Sequence, residues 1–279
     1  MPELPEVETV RRLIEPDVVG RTVVDAVARW QRTVGGSAGR FRAALVGARI
    51  ERVRRRAKFL VFELSRSGGC GGAILCHLRM TGRLYVRNQG EAEDPHDRAL
   101  LDLDDGRRLH FLDVRKFGRF EHVADPAARL DGLGPEPLGD AFTAEWFAAA
   151  LKARRRQLKP LLLDQSFVAG LGNIYVDESL HRAGLHPLTQ SDRVSTVRAR
   201  RLQTEIRATL AEAIEREGSS FDRFYQTPAG QPGGYQHQFQ VYGRDGQPCS
   251  SCGATIVKLV VGQRGTHICR RCQPTPRPR

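Results

Sequence analysis

The chain has 279 residues, and its 44 lysines and arginines against 32 acidic residues give a formal net charge of +12 at pH 7. This length accommodates one large domain or two ordinary ones with a substantial core, and the positive balance favours a polyanionic partner, nucleic acid before membrane. No stretch approaches the roughly 20 apolar residues of a membrane span, and the acidic N-terminus lacks the apolar segment of a signal peptide, so we expect a soluble intracellular protein that binds nucleic acid.

The first eight residues, MPELPEVE, predict a helix start with unusual chemistry. If Met1 is removed, the chain begins with the secondary amine of Pro2, and Glu3 and Glu6 follow within one helical turn. An α-amino group titrates near ~8 in model peptides, and the positive end of a helix dipole lowers its pKa. A secondary amine that condenses with a sugar aldehyde gives a cationic iminium, an electron sink for elimination. Proline and early glutamates also simply suit a helix N-terminus, and on this segment alone that structural interpretation is preferred.

Residues 21–125 have mainly the pattern of β-structure. Residues 59–64 and 73–78 are short apolar runs typical of buried strands. Residues 101–111 alternate apolar and polar side chains around Asp105-Gly106, which predicts a hairpin. Between about 126 and 142, prolines and glycines interrupt this pattern and indicate a domain boundary.

Beyond this boundary the pattern becomes helical. Thr143 is a candidate cap for a helix that runs through Leu151, residues 158–163 form a short apolar helix near Pro160, and residues 195–217 form a long helix that Gly218 ends. The Gly/Pro-rich segment 227–234 has no core-forming pattern and is interpreted either as a linker or as a mobile lid.

Four cysteines near the C-terminus predict a metal site. Cys249-x-x-Cys252 and Cys269-x-x-Cys272 are separated by sixteen residues, the spacing of a tetrahedral zinc ribbon rather than of disulfides or free thiols. With four thiolate ligands no coordination position stays open, so the zinc is structural. The basic residues of this region favour contact with a phosphate backbone; they are Arg244, Lys258, Arg264, Arg270, Arg271, Arg277 and Arg279, opposed by Asp245. The two remaining cysteines, Cys70 and Cys76, are predicted to be buried small hydrophobes.

Several motifs together resemble one protein family. They are MPELPEVET at the start, RRAK at 55–58, HLRMTG at 77–82, DVRKFG at 113–118, GLGNIYVDES at 170–179 and the QVYGR…CxxC…CxxC ending. In this order, over essentially the whole length, the chain resembles the bacterial formamidopyrimidine-DNA glycosylases. The resemblance implies double-stranded DNA with oxidised purines or abasic sites as partner and one structural Zn²⁺ per monomer.

The fold implied by this resemblance is α+β with two domains: an N-terminal β-sandwich that carries the opening helix, then a helix–two-turn–helix module and a four-cysteine zinc ribbon. DNA would lie between the domains with the damaged nucleotide flipped out of the stack. The turns would be residues 166–172. The expected segments are 1–130 (catalytic sandwich), 131–142 (linker), 143–226 (helix–two-turn–helix module), 227–236 (mobile lesion-recognition loop), 237–273 (zinc ribbon) and 274–279 (basic tail).

The resemblance also implies catalytic roles. Pro2 would attack the sugar C1′ and displace the oxidised purine, Glu3 would exchange a proton with the opening sugar, and Glu6 would orient this pair. Lys58 would contact a phosphate beside the lesion and assist β-elimination, although a solvated cation at a strand edge is the alternative interpretation of this residue. Arg264 would bind the 3′ phosphate and assist δ-elimination.

Other residues match the DNA contacts of the family. Met80, Arg115 and Phe117 match the triad that fills the gap left by the flipped base, with core filling as the alternative for Met80. Asn173 opens a helix after Gly170-Leu171-Gly172, where backbone N–H groups and its amide can hold phosphate. Weaker DNA-contact candidates, for which solvated charge is the competing interpretation, are His96, Arg154 and Arg155. Arg98 departs from the family, which commonly has a second histidine there, so any role for that position is open.

We therefore expect a monomeric bifunctional glycosylase and AP lyase for 8-oxoguanine and formamidopyrimidines, acting in the bacterial cytoplasm at the nucleoid. One alternative is a catalytically silent binder of damaged DNA, for which a retained Met1 would be the signature. Another is an endonuclease VIII-like enzyme for oxidised pyrimidines. Leu4, where those relatives usually have glycine, and the DVRKFG motif favour purines.

Overall fold

The computed structural model describes residues 1–67, 69–221 and 224–276, so Arg277 and Arg279 of the predicted basic tail lie outside the described residues. Contacts divide the chain into two compact units, Met1–Gly132 with Arg216–Gly234, and Leu133–Glu215 with Tyr235–Arg279. In this division the segment Arg216–Gly234 is grouped with the first unit, and the expected bounds of the individual domains stay predictions.

The first unit is a β-sandwich with a helix at its start. Its elements are α1 (Leu4–Val18), β1 (Val23–Ala28), α2 (Gln31–Val34), α3 (Ala38–Leu45), β2 (Arg49–Arg56), β3 (Phe59–Arg66), β4 (Gly69–His77), β5 (Gly82–Asn88), β6 (Asp97–Leu103), β7 (Arg107–Asp113), β8 (Arg119–Val123) and α4 (Ala127–Leu130). The strands form two antiparallel four-stranded sheets, in the orders β1-β6-β7-β5 and β2-β3-β4-β8. Both sheets and the apolar side of α1 contribute to one hydrophobic core, as the resemblance implied.

Most of the sandwich follows the sequence pattern. The two apolar runs are β3 and β4, and the Asp105-Gly106 turn joins β6 to β7 with Gly106 at φ 81°. The helix α3 was not anticipated within the predicted β-region. Ser37 caps it by accepting the Arg40 N–H at 3.3 Å, and Phe41 is among its few buried residues. A helix with so few apolar positions gives a weak periodic signal.

The second unit is helical and ends in a two-stranded ribbon. Its elements are α5 (Ala144–Lys152), α6 (Leu158–Leu163), α7 (Asn173–Arg182), α8 (Thr196–Glu215), β9 (Ile256–Val261) and β10 (Arg264–Cys269), with short 3₁₀ helices at Ser191–Arg193 and Tyr235–Gln238. As predicted, Thr143 caps α5, accepting the Trp146 N–H at 3.0 Å. Pro160 is tolerated at the third position of α6 because the first N–H groups of a helix have no intrahelical partner.

The chain returns to the first unit directly after α8. Glu217 and Gly218 both adopt left-handed backbone conformations, at φ 59° and 77°, and end the helix. Tyr225 then packs into the sandwich core, and its hydroxyl donates to the Glu217 carbonyl at 3.0 Å. A β-bridge between Ser219 and Gly234 closes the Gly/Pro-rich segment into a loop. This segment is therefore not a plain extended linker.

Within the described ranges, the structure contains no helix with both the length and the apolar character needed to cross a membrane.

Candidate active site

The N-terminal residues are held in a fixed, buried position. Pro2 is buried and Glu3, the residue that caps α1, is 3% exposed. Glu6, at the third helical position, accepts the backbone N–H of Glu3 through Oε2 at 2.8 Å. This is the reciprocal contact of a capping box. It fixes the backbone immediately after Pro2, the residue predicted to act as nucleophile.

The other oxygen of Glu6 binds a distant part of the chain. Oε1 accepts the backbone N–H of Ser219 at 2.8 Å, and the side chain is only 2% exposed. One buried carboxylate thus connects the N-terminus of α1 to the loop that follows α8. The expectation that Glu6 orients Pro2 and Glu3 agrees with this placement, because both of its oxygens bind backbone rather than solvent.

Gly218 permits the close approach between that loop and Glu6. A Cβ atom at Gly218 would lie 2.8 Å from Cγ and 2.9 Å from Oε1 of Glu6, at a φ of +77°. We expect Gly218→Ala to lower the free energy of unfolding by about 2–3 kcal/mol and to reduce catalysis, since Glu6 must move. Gly230→Ala is the matched control, because its φ is +80° and its Cβ would meet no described atom within 4 Å. Urea unfolding that gave equal losses for both variants would contradict this role of Glu6.

Lys58 lies in the tight turn between β2 and β3 and is only 6% exposed. A side chain this buried is shielded from solvent, so the interpretation as a solvated strand-edge cation is wrong. Arg55 holds the turn against α1: it donates to the Ala57 carbonyl and to Glu8, each at 3.1 Å. Burial alone would raise the pKa of Glu8, but the neighbouring arginines, Arg11 first, lower it below its usual value. The turn that carries Lys58 is therefore tied to the helix that carries Glu3.

His77 lies beside Lys58 and was not singled out in the sequence. It is 7% exposed, and its strand neighbour across the ladder is Phe59. The ring Nδ1 accepts the Arg79 N–H at 3.0 Å. Burial, followed by the charges of Arg79 and Lys58, lowers the pKa of His77 to about 3. The imidazole is therefore neutral, with its proton on Nε2, and is a hydrogen-bond donor. The sequence feature that could have indicated His77 as a site residue is its place at the start of the HLRMTG motif.

Met80, Arg115 and Phe117, which are predicted to fill the gap left by a flipped base and are called the wedge below, come together at two neighbouring loops. Arg115 Nη1 donates to Met80 Sδ at 3.2 Å, and its guanidinium carbon lies 5.0 Å from the centre of the Phe117 ring. Phe117 is 51% exposed. A large apolar ring in solvent beside a thioether and a guanidinium has the composition expected of a surface that replaces base stacking. Core filling, the alternative for Met80, does not fit its partly exposed position.

A buried carboxylate positions these loops. Asp113, which is fully buried, accepts the Thr81 hydroxyl and, at 2.6 Å, the Gly118 N–H. Thr81 in turn accepts the Arg115 N–H at 3.1 Å. Both loops also contain a non-glycine residue with positive φ: Arg79 in one loop and Lys116, at φ 61°, in the other. The wedge is thus held by a specific network rather than by its own packing.

Arg98, the departure from the family pattern, supports the same loops. Its Nε donates to the Asp113 carbonyl at 2.9 Å, and its Nη2 lies 3.0 Å from His96 Nδ1. The third nitrogen, Nη1, donates to the Pro95 carbonyl at 3.2 Å. The guanidinium of Arg98 is therefore engaged within the protein. His96, a predicted DNA contact, is partly exposed beside it.

In the second unit, the side chains of Asn173 and Lys159 meet at one carbonyl group, that of the residue after Arg264. Asn173, the first residue of α7, donates its amide Nδ2 to the carbonyl of Gly265 at 2.9 Å. Lys159 Nζ donates to the same carbonyl at 3.0 Å. Arg264 precedes Gly265 at the start of β10 and is exposed. The side chain of Asn173 therefore holds the strand that carries Arg264. Because this amide is already bonded, the phosphate contact predicted at Asn173 would be made mainly by backbone N–H groups.

Buried charged residues that the sequence pattern did not indicate attach the ribbon to α7. Lys159 Nζ contacts Asp177 Oδ1 at 2.7 Å with the two side chains 0% and 1% exposed, and Asp177 Oδ2 accepts the His267 N–H at 2.9 Å. Glu178 accepts three consecutive backbone N–H groups, those of residues 240–242, at 2.8–3.0 Å. Acidic residues flanked by apolar ones inside the GNIYVDES segment were the available signal.

Several predicted phosphate-binding arginines are engaged within the protein. Arg154 donates to the Ala150 carbonyl at 2.9 Å and lies over the Phe167 ring at 4.9 Å, while Arg155 is exposed. Arg244 was counted among the basic residues of the ribbon that contact phosphate, but its guanidinium donates to backbone carbonyls in its own loop; these are the carbonyls of Phe239, Gln240 and Pro248 at 3.1–3.2 Å.

The four predicted zinc ligands form one cluster. Their Sγ atoms all lie within 4.8 Å of one another, with separations of 3.4 Å for Cys252–Cys269 and 3.9 Å for Cys249–Cys272. Four thiolates at about 2.3 Å from a tetrahedral zinc lie about 3.8 Å apart, whereas a disulfide requires about 2.05 Å. The donor set and its spacing therefore fit a closed, structural zinc site.

The two cysteines outside this cluster differ from each other. Cys76 is buried, as predicted, and burial raises the pKa of its thiol. Cys70 is exposed, so its predicted burial is wrong. It lies at the start of β4, next to the glycine-rich tip of the β3–β4 hairpin, where neither sheet covers it.

A sandwich with a buried proline at position 2 and an exposed wedge, together with a helical module and a zinc ribbon, defines a class of zinc-containing DNA-binding enzymes. Family models match along the chain: the formamidopyrimidine-DNA glycosylase N-terminal domain over residues 1–120, the formamidopyrimidine-DNA glycosylase H2TH domain over 133–224, and a zinc finger found in FPG and IleRS over 246–275. The chain belongs to the formamidopyrimidine-DNA glycosylase family, and its four cysteines form the structural zinc site of this family's zinc finger.

Full-length relatives and solved structures agree with this assignment. The formamidopyrimidine-DNA glycosylases of Chloroflexus aggregans and Geobacillus kaustophilus are 46% and 44% identical, covering 98% of this chain and 98% and 100% of their own. The crystal structure of the MutM (Fpg) protein from Thermus thermophilus is 44% identical with a TM-score of 0.87, covering 99% of this chain and 100% of that one. The Lactococcus lactis Fpg in complex with DNA containing N7-benzyl-Fapy-dG is 36% identical with a TM-score of 0.89, covering 98% and 100%.

Proposed function

We propose that this protein is a base-excision repair enzyme that removes oxidised purines, 8-oxoguanine and formamidopyrimidines, from double-stranded DNA and then cleaves the strand at the abasic site. The observation that carries the proposal is the N-terminus of a full-length family member: Pro2 and Glu3 are buried, and Glu6 holds the backbone beside them through two hydrogen bonds of 2.8 Å. Lactococcus lactis Fpg has been crystallised with DNA that contains Fapy-dG or an abasic site.

Pro2 is the nucleophile in this proposal, once Met1 has been removed. Its nitrogen forms a bond to the sugar C1′ while the bond from C1′ to the purine breaks, and the purine leaves with a proton. Glu3 supplies a proton to the sugar ring oxygen as the ring opens, and the product is an iminium between Pro2 and C1′. A carboxyl group as buried as that of Glu3, at 3% exposure, is suited to hold and release a proton in this way.

The iminium accepts electrons in the following eliminations. Loss of a C2′ proton expels the 3′ phosphate, and a second elimination expels the 5′ phosphate; water then releases the sugar fragment and regenerates the amine of Pro2. In this proposal Lys58 and its neighbour, the neutral His77, contact a phosphate near the lesion. Arg264, which is exposed at the turn of the ribbon, contacts another phosphate. The zinc holds the ribbon's fold and takes no part in these steps.

Met80, Arg115 and Phe117 fill the space that the flipped nucleotide leaves. The ring of Phe117 and the thioether of Met80 replace lost stacking, and the guanidinium of Arg115 hydrogen-bonds the unpaired cytosine. We place this activity in a monomer that works at the nucleoid of the bacterial cytoplasm.

The network beneath the wedge should be necessary for its position. Thr81→Val removes the hydroxyl that joins Asp113 to the Arg115 N–H, and leaves both groups without that partner. We expect a loss of about 1–3 kcal/mol in the free energy of unfolding and weaker binding to a duplex with an abasic-site analogue. Thr204→Val is the control, because that hydroxyl is exposed and donates to the Arg200 carbonyl of its own helix; we expect a loss below about 0.5 kcal/mol there.

The proposal is tested by incubating the full-length protein with an 8-oxoguanine:cytosine duplex and sodium borohydride, then locating any cross-link by mass spectrometry. We expect a covalent adduct on Pro2. Binding without an adduct, together with an intact mass that retains Met1, would favour the silent DNA binder. An adduct formed faster on a thymine-glycol duplex would indicate the pyrimidine-specific enzyme instead.

A further inference from the structure

We propose that His181 acts outside the first ligand shell of the zinc, donating its Nε2–H to the thiolate of Cys249 and thereby holding the metal in its site. This inference concerns the ribbon alone and does not depend on the proposed reaction. His181 lies near the C-terminal end of α7, is 5% exposed, and its Nε2 is 3.6 Å from Cys249 Sγ, within hydrogen-bonding distance for a sulfur acceptor.

The position of His181 on α7 repeats a pattern. Residues four apart lie on the same face of a helix, and Asn173, Asp177 and His181 follow this spacing. The first donates to Gly265 at 2.9 Å, the second accepts from His267 at 2.9 Å, and the third contacts Cys249. One helix face therefore contacts the β10 strand and the first cysteine pair. His181 is the member of this face that reaches the metal cluster.

The charge of the cluster explains why a donor there matters. Zinc with four thiolates carries a net charge of −2, and Cys249 is only 3% exposed, so water solvates this sulfur poorly. Hydrogen bonds to metal ligands from outside the first shell fix their orientation, and losing one typically reduces metal affinity about 10–100-fold. The adjacent Arg182 is engaged elsewhere, with Glu212 at 2.8 Å and Tyr235 at 3.2 Å.

A cavity beside the cluster, lined in part by His181 itself, is open to solvent. This cavity of about 540 Å³ is lined by His181, Arg182, Arg201, Glu205 and Cys272, among others, and Cys252 and Cys272 are both partly exposed. A chelator can approach along this route. The contact from His181 to the buried Cys249 sulfur thus opposes loss of the metal towards this cavity.

The test compares the rate at which zinc-loaded, full-length protein loses zinc to a chromophoric chelator. His181→Phe keeps a ring of similar size but removes the donor, and we expect at least about tenfold faster release. His181→Gln keeps an N–H at a similar reach, and we expect a rate within about twofold of the unaltered protein. His181→Leu repeats the loss of the donor with a smaller side chain, in case the phenylalanine variant does not fold.

His186→Phe is the matched control for lost packing. His186 is 4% exposed in the same unit; its Nδ1 accepts the Leu188 N–H at 3.2 Å, and it forms no hydrogen bond to a cysteine within the described part of the chain. We expect this variant to release zinc at the unaltered rate, even if its thermal stability falls.

A spectrum separates the hydrogen bond from general stability. In the cobalt(II)-substituted protein, a thiolate that loses a hydrogen bond becomes a stronger electron donor, so the sulfur-to-cobalt charge-transfer band should move to longer wavelength in His181→Phe and return in His181→Gln. Unchanged zinc release in His181→Phe would overturn the proposal. So would equal acceleration in His181→Phe and His186→Phe, or faster release without a spectral shift, since either result would assign His181 to packing alone.

Discussion

Pro2→Gly is expected to lower base removal and strand cleavage on an 8-oxoguanine duplex by roughly 10³-fold, equivalent to about 4 kcal/mol of transition-state stabilisation. The variant replaces a secondary amine with a primary one. A primary amine gives an imine that loses its charge by deprotonation, whereas the iminium of Pro2 has no N–H proton to lose and remains an electron sink. Glycine also releases the fixed backbone conformation of proline next to the Glu3 cap. Single-turnover assays measure the rates of base removal and strand cleavage, and borohydride trapping measures how much iminium or imine forms.

Pro5→Gly provides the control for this substitution. Pro5 lies in the first turn of α1 and is buried, as Pro2 is, but its nitrogen is an amide and has no nucleophilic role. The Pro5→Gly change should cost about 1 kcal/mol of stability and leave the trapping efficiency largely intact. Intact-mass measurement of all three proteins ensures that Met1 has been removed from each. Full strand cleavage by Pro2→Gly would contradict the requirement for a secondary amine at position 2.

Lys159→Met should lower the free energy of unfolding by about 3–5 kcal/mol. The ion pair between Lys159 and Asp177 is 0% and 1% exposed with a 2.7 Å contact, and removing one partner of a buried pair leaves an uncompensated charge in a medium of low polarity. Methionine fills a similar volume, so the loss measures charge rather than packing. Urea unfolding of the full-length protein is the measurement.

Two further variants define the source of this loss. Lys159→Met combined with Asp177→Asn removes both charges and should recover a large part of the stability, because the buried carboxylate is then gone. Arg156→Met breaks an ion pair with Asp164 that has the same 2.7 Å contact but side chains 48% and 30% exposed, and we expect a loss below about 1 kcal/mol. Similar losses of the free energy of unfolding for Lys159→Met and Arg156→Met would refute the conclusion that burial makes the Lys159–Asp177 pair more important for stability.

The Lys159 change should also affect the reaction. Lys159 and Asn173 share the Gly265 carbonyl at 3.0 and 2.9 Å, and Arg264 is the residue before it. In the double variant, where stability is largely restored, an imprecisely held Arg264 should still slow the second elimination relative to the first. Products that end in a 3′ sugar fragment should therefore accumulate.

Local features of the fold were predictable because their causes lie within a few residues of sequence. The Thr143 cap, the Asp105-Gly106 hairpin turn and the paired CxxC knuckles each depend on neighbouring backbone geometry or ligand spacing. The exposed position of Cys70 and the short α3 helix were not predictable in this way, since exposure and weak amphipathicity depend on what packs against a segment.

Local sequence patterns could not predict the hydrogen bonds that hold the site residues in position. Glu6 binds the N–H of Ser219, 213 positions away, and Arg98 supports Asp113 from a different strand. The identity of an acidic residue or an arginine does not tell whether its side chain faces solvent or a buried backbone group. Only the packing of elements decides which groups lose water and must find partners.

By itself the sequence determined the chemical groups of this protein: an N-terminal proline with two acids, four thiolates for zinc, and a wedge of thioether, guanidinium and ring. It determined them because chemistry requires particular side chains, often at fixed spacing. The tertiary structure alone decided that Lys58 and His77 are buried neighbours, that α7 carries the ribbon, and that the chain returns after α8 to bind Glu6. These arrangements depend on contacts between residues far apart in the chain, where burial makes each hydrogen bond and charge costly to leave unpaired.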